Sequence, residues 1–245
     1  MDIIVYNILT ALCCFVIGYL FGSFPSGVVI GKITQKKDPR EYGSNNSGGT
    51  NVSRLWGFKV GWMVYALDFA KAAIPIWALW AITTFVNFGD KPLIPPSELL
   101  LSGETAGYIV QWPAYWLVVL GVTIGHCYPV FANFKGGKAA AVTCSSAFFS
   151  SWFTGSVAMI TFFASLKARK YVSLASIVAA CGIAISSWLT CIPVFNKYCM
   201  WSMTLCPGYV FATVMTLSSL ILILRHHKNI HRLANDGETK ISWMK

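Results

Sequence analysis

Three short polar segments interrupt an otherwise apolar chain, and each carries groups suited to holding phosphate. The first, "EYGSNNSGGTNVSRLWG" (41–57), sets Gly43, Gly48 and Gly49 among Ser44, Asn45, Asn46, Ser47, Thr50 and Asn51, with Arg54 near its end. The glycines let the backbone fold closely around a ligand. Helical periodicity resumes at Val52, so Thr50 or Asn51 is expected to cap that helix and leave its first N–H groups to face an anion. Arg54, one turn on, reaches the same spot. A solvated loop before a capped helix would have the same composition.

The second segment, "GHCYPVFANFKGGKAAAV" (125–142), contains a glycine turn between two lysines: Lys135, Gly136, Gly137 and Lys138 at the start of a helix. Backbone N–H groups, the positive end of the helix dipole and two ammonium groups would converge on one anion. This is not a nucleotide-binding P-loop, because Ala132 stands five residues before Gly137 and Ala139 replaces the required Ser or Thr. A basic loop at a membrane face would look alike, and His126 reads as a helix-end packing residue rather than a base. In the third segment, "RHHKNIHRLANDGETKI" (225–241), a helix would place His226 and Asn229 on one face and Arg225, Asn229 and Arg232 along the next. Taken alone, that helix reads as one adhering to anionic lipid. A fourth, "LDFAKAAIP" (67–75), puts Asp68 and Lys71 at i, i+3 inside an apolar span. Charges there are costly and should face protein, so the two are read as an ion pair that orders the interior.

The elements that must position these segments are membrane helices. The 245 residues are 56% hydrophobic and 11% charged, with mean hydropathy +0.59; soluble domains average about 25% charged residues. The chain is therefore expected to be an all-α, polytopic integral membrane protein. Residues 3–22, 55–86, 112–131 and 172–192 are long enough for a bilayer, which takes roughly 20 apolar residues, and 208–224 is slightly short. The first has no preceding positive residue and no small-residue cleavage site, so it is read as a retained helix. Residues 138–167 fit one long helix or two short ones, and charge decides, since Lys and Arg collect in cytoplasmic loops. With a turn at "SWFTG", arms at 138–152 and 155–167 form a short helical hairpin. Sixteen of the 19 Lys and Arg then lie in or beside loops 23–54, 132–138, 167–171 and the tail 225–245, all on one side. Lys91 and Lys197 lie opposite and Lys71 lies inside a helix. One long helix would move the third loop and the tail across and weaken the bias. About seven transmembrane helices result, with the N-terminus outside and the C-terminus inside.

The formal charge of +10 is thus mostly topology, with anionic head groups or substrates as further beneficiaries, and nucleic acid is not an expected partner. The eight cysteines form no CxxC pair and no His-linked metal spacing. Cys191, Cys199 and Cys206 lie close enough together to leave a disulfide open. The Pro- and Gly-punctuated stretch 87–111 reads as an outer loop, and no internal repeat is visible. This topology gathers the three polar segments at one membrane face, where two phosphate cradles suggest joining a water-soluble phosphate ester to a lipid-derived one. A polytopic organic-phosphate transporter is the rival from another class. It would need a midplane site and usually repeated halves.

"GSFPSGVVIGK", "YGSNNSGGTNVSR", "DFAKAAIP", "GHCYPVFANFKGGK" and "RHHKNIHRL…GETKI", in that order over residues 18–241, resemble the successive motifs of the bacterial PlsY family of acyl-phosphate-dependent glycerol-3-phosphate acyltransferases. The resemblance implies a single membrane-embedded acyltransferase domain over 1–245, with seven helices in the bacterial inner membrane and its active site at the cytoplasmic face. The implied reaction moves a fatty acyl group from acyl phosphate to the sn-1 hydroxyl of glycerol 3-phosphate, giving lysophosphatidic acid and phosphate. It uses no metal or cofactor, and the enzyme that forms acyl phosphate becomes a possible partner beside the membrane lipids. Ser44, Arg54, His226 and Asn229 are the expected catalytic residues. Asn46, Thr50, Asn51, Lys135, Gly136, Gly137 and Lys138 are expected to bind substrate phosphates, with Asp68, Lys71 and Glu238 in support. Asn45 and Ala139 depart from the pattern at positions where glycine is usual, and Val142 stands where it commonly has Thr.

Overall fold

The computed structural model describes residues 3–85, 116–192 and 208–241. Those residues form ten α-helices and no strand: α1 (Ile3–Gly22), α2 (Ser26–Gln35), α3 (Gly49–Trp56), α4 (Phe58–Phe85), α5 (Leu117–Cys127), α6 (Ala140–Ser150), α7 (Trp152–Arg169), α8 (Val172–Leu189), α9 (Tyr209–Arg225) and α10 (His227–Ala234). Single 3-10 turns lie at Pro39–Glu41 and Val130–Ala132. Large apolar side chains such as Ile8, Leu12, Ile160 and Ile185 are more than half exposed, an arrangement suited to hydrocarbon rather than water.

Ile8–Gln35, Phe58–Ile82 and Val172–Leu189 are each long and apolar enough to cross a membrane. A fourth crossing results if α9 and α10, bent by 56°, form one span. The full expected number of seven is not reached by length and composition among the described residues. The first residues of the 112–131 span, the loop 87–111 with Lys91, and the stretch holding Lys197, Cys199 and Cys206 lie outside them, and so does the question of a disulfide.

α1 and α5 meet backbone to backbone. A Cβ on Gly18 or Gly22 would overlap the carbonyl of Val118 or Val122, and one on Gly121 or Gly125 that of Phe15 or Tyr19. Both helices thus carry glycines four residues apart on the facing stripe, which permits the close approach that membrane helices use in place of a hydrophobic drive. The contact brings the end of α1 to the loop after α5, where the Tyr19 hydroxyl donates to the Tyr128 carbonyl (3.0 Å). The apolar interior beside it is built on Trp116, Phe211, Ile183 and Met215.

The chain breaks at Ser151, whose backbone is extended (φ −144°, ψ 115°) and whose Oγ accepts from the Thr154 N–H to cap α7. Gly155 then packs directly on Phe148. The two expected arms are therefore present, but the break is one residue at Ser151 and the arms run 140–150 and 152–169. A single long helix would have carried Lys170 to the far end of the bundle. Instead the Lys170 carbonyl accepts from the Ile241 N–H (2.9 Å), Arg40 reaches the carbonyls of Ala132 and Lys135, and Arg54 reaches that of Thr239. The four basic segments meet at one end of the bundle.

Candidate active site

The first wall of the site is α3 and the loop before it. The helix starts at Gly49 with Gly48 as its cap, not at Val52 with Thr50 or Asn51 as the cap. No side chain caps it; Asn46 Oδ1 instead accepts from the Gly48 N–H (2.9 Å). Asn51 is buried and its carboxamide is spent on the loop. Oδ1 accepts from the Ser44 N–H, and Nδ2 points at the carbonyls of Pro39, Tyr42 and Asn46. Asn51 therefore shapes the loop rather than offering its amide to a ligand. A Cβ on Gly49 would press on the Tyr65 ring, whose hydroxyl hydrogen-bonds Thr50 (2.8 Å). That leaves the first turn of α3 open toward a cleft shared with Ser44 and Arg54.

The glycine turn forms the second wall in a way its spacing did not reveal. Gly137 donates its N–H to the His126 carbonyl (3.0 Å). Arg225 donates from Nε and a terminal nitrogen to the Gly137 carbonyl (3.2 and 3.1 Å), and its guanidinium lies over the Tyr128 ring. A Cβ on Gly136 would overlap the His126 carbonyl, and one on Gly137 the His126 ring. Both glycines thus sit where a side chain would clash, and the Gly137 N–H is spent on the His126 carbonyl. The groups turned to the cleft are Lys138 and Ala139–Ala141, the start of α6. The first N–H groups of that helix have no carbonyl one turn back to accept them. Ala139 (φ 61°) and Asn45 (φ 53°) both hold left-handed backbone, which accounts for glycine being usual at both places in the motif pattern. Ala lacks the polar side chain that makes this tolerable for Asn, so the conformation at Ala139 costs about 1–2 kcal/mol.

The third wall is the bend at His226. The His226 Nδ1 lies 2.8 Å from the Leu222 carbonyl. A carbonyl only accepts, so Nδ1 carries the proton and the neutral ring presents Nε2 as a lone pair. Lys138 Nζ donates to Asn229 Oδ1 (2.7 Å), which turns Asn229 Nδ2 toward Glu238 Oε1 (3.0 Å). Ser173 and Arg232 complete the Glu238 carboxylate at 3.1 and 2.8 Å. Burial pushes the Glu238 carboxyl up, but the bonds from Arg232, Asn229 and Ser173 prevail and hold it below the usual range. Burial, and then the nearby Arg232, push the Lys138 ammonium down to about 8.

Asp68 forms the floor, with Lys71 paired behind it. Both are nearly buried, 2.9 Å apart, with Lys71 donating to the Phe24 carbonyl (3.1 Å) and His126 Nδ1 3.6 Å from Asp68. The cleft opens to solvent and has a cavity volume of about 90 Å³. Ser44, Asn46, Thr50, Asn51, Arg54, Asp68, Lys138, His226, Asn229 and Glu238 line it, whereas Lys71, Lys135, Gly136 and Gly137 do not. Tyr65, Ser173, Ser176 and Arg232 also line it, though sequence reasoning singled none of them out as site residues. The hydroxyls of Ser173 and Ser176, three apart at the start of an apolar helix, were the available signal. His126 too touches the cleft, beyond its expected packing role.

A family model for glycerol-3-phosphate acyltransferase matches residues 12–236. Proteins of that name from Staphylococcus aureus strains JH9 and Newman are 36% identical over 229 residues, 93% of this chain and 96% of theirs. Crystal structures of PlsY (YgiH), an integral membrane glycerol 3-phosphate acyltransferase, are similar in fold at 27% identity. The glycerol 3-phosphate form gives a TM-score of 0.73 over 95% of this chain and 96% of that one. The lysophosphatidic acid form gives 0.71 over 95% of each. A membrane helix bundle whose polar loops close on one cleft, with this match over nearly its whole length, belongs to the glycerol-3-phosphate acyltransferase family.

Proposed function

We propose that the chain transfers a fatty acyl group from acyl phosphate to the sn-1 hydroxyl of glycerol 3-phosphate, releasing lysophosphatidic acid and phosphate at the cytoplasmic face of a bacterial inner membrane. The observation that carries this reading is that two helix N-termini open on one cleft, each with its own cation: α3 with Arg54 and α6 with Lys138. That arrangement suits two phosphate-bearing molecules held side by side despite their repulsion. Acyl phosphate is already activated, so positioning and charge stabilisation can supply the catalysis. The acceptor hydroxyl oxygen attacks the acyl carbon and the bond from that carbon to the phosphate oxygen breaks. The hydroxyl proton finishes on the released phosphate, either directly or through Nε2 of His226. Ser44, Thr50 and Arg54 would hold one phosphate, Lys138, Asn229 and the first turn of α6 the other, with Glu238 fixing Asn229. The basic loops gathered at one end support the cytoplasmic placement.

The test is acyl transfer from palmitoyl phosphate to labelled glycerol 3-phosphate by the purified protein in a lipidic phase. Labelled lysophosphatidic acid is the expected product. Its absence from folded protein would sink the reading, and vesicle uptake of glycerol 3-phosphate in its place would favour transport.

A further inference from the structure

Arg40 lies outside the cleft, yet its guanidinium joins the two walls that carry the cations. Nε and one terminal nitrogen grip the Asp38 carboxylate at 2.7–3.1 Å. The other terminal nitrogen donates to the Ala132 and Lys135 carbonyls at 2.9 and 3.1 Å. Four of its five N–H groups are thereby directed at protein acceptors. The backbone of Arg40 is equally committed. Its N–H donates to Asp38 Oδ1, and its carbonyl accepts from Asn45 Nδ2 (3.0 Å). One residue back, the Pro39 carbonyl is held by Asn51, whose carboxamide also fixes Ser44. On one side Arg40 is thus fastened to the loop and helix that present Ser44 and Arg54. On the other it grips the turn three residues before Lys138.

We propose that Arg40 is a positioning residue for acyl transfer, a strut between the two phosphate sites that sets their separation. The inference rests on the two-phosphate reading above. Each site keeps its own ligating groups when the strut is removed, so each substrate should still bind. What is lost is the alignment of hydroxyl and carbonyl, to which rate is steeply sensitive: a displacement of about 1 Å can cost about 10²-fold. Asp38 belongs to the same device, because its two oxygens hold the guanidinium plane that aims the remaining nitrogen at the turn. Lysine cannot replace Arg40, since a single ammonium cannot hold Asp38 and two carbonyls in one plane.

The experiment uses the full-length protein in lipidic phase. Turnover is measured with both substrates varied, and calorimetric titration follows glycerol 3-phosphate alone and a non-hydrolysable acyl phosphonate alone. For Arg40→Gln and Arg40→Lys, kcat should fall about 10- to 100-fold while both ligands keep dissociation constants within about threefold of wild type. Added guanidinium should restore part of kcat in Arg40→Ala. If Arg40→Gln fails to fold, Asp38→Asn carries the test, with a smaller kcat loss and unchanged ligand affinities. A rise in one substrate's KM with kcat intact would overturn the proposal by making Arg40 part of that substrate's own site. Wild-type kcat in the folded Gln and Lys variants would overturn it as well. If the wild-type protein itself gives no lysophosphatidic acid, the acyl-transfer reading fails first and takes the strut's role with it.

Discussion

Lys138 offers the sharpest test of the site, because its charge should switch within an accessible pH range. Its ammonium is pushed down to about 8 by burial and by Arg232. A lysine is charged below its pKa, so about 90% of the free enzyme carries this charge at pH 7 and about 10% at pH 9. A phosphate monoester, with its second pKa near 6, is dianionic throughout that interval. If Lys138 meets substrate phosphate, kcat/KM should fall about tenfold from pH 7 to pH 9, with a midpoint near 8, since this ratio reports ionisations of the free enzyme. Lys138→Met should lower kcat/KM at pH 7 by about 1.5–3 kcal/mol of charge-assisted hydrogen bonding, about 10- to 150-fold, and the alkaline limb should disappear. The assay is initial rate against pH, with each substrate in turn held near saturation; the substrate whose KM moves is the one at α6. A limb that persists unchanged in Lys138→Met, or one centred above about pH 9.5 in the wild type, would refute the reasoning.

Gly137→Ala should destabilise the protein by about 1–3 kcal/mol, as expected for overpacking, because the new methyl would meet the His126 ring. Thermal unfolding checks this, and wild-type stability with a raised KM for one substrate would return the glycines to a phosphate cradle. Asp68→Asn and Lys71→Met should each cost about 3–5 kcal/mol by leaving a buried charge unmatched, and the double variant should recover most of it. Single variants within about 1 kcal/mol of wild type would show the pair to be dispensable. Cysteines placed at positions 170 and 240 should react with an impermeant probe from the same side of sealed vesicles, as the Lys170–Ile241 bond requires; opposite sides would undo the topology.

The distribution of Lys and Arg was enough to bring four distant segments to one end of the bundle, because membrane topology depends on charge more than on packing detail. Hydropathy found the spans built on α1, α4 and α8, because crossing hydrocarbon depends on apolar length. Backbone direction at the glycine turn was not legible. Whether the Gly137 N–H faces a ligand or the His126 carbonyl depends on a helix end and an arginine that no local spacing discloses. Arg40 illustrates the same limit: in the sequence it is one more positive charge in a basic loop, and only its paired carbonyls make it distinct. Gly18, Gly22, Gly121 and Gly125 were readable as two four-residue repeats. Hydropathy passed over them because glycine is nearly neutral on such scales and matters here by its size.

Translation imposes an order on the contacts around Asp68 and Lys71. α4 follows α1 and α2 in the chain and precedes α5, so the helix can enter the bilayer before His126 is in place. A lone Asp or Lys at a helix centre costs about 2.5–3.5 kcal/mol on the insertion scale. The groups that satisfy the pair are of two kinds, and both are already made by then: each residue has the other one turn away, and Lys71 has the Phe24 carbonyl from the chain just inserted. The floor of the cleft can therefore be neutral before the walls arrive. Each later segment, from the glycine turn to the tail, can then pack on a base whose charges are already matched.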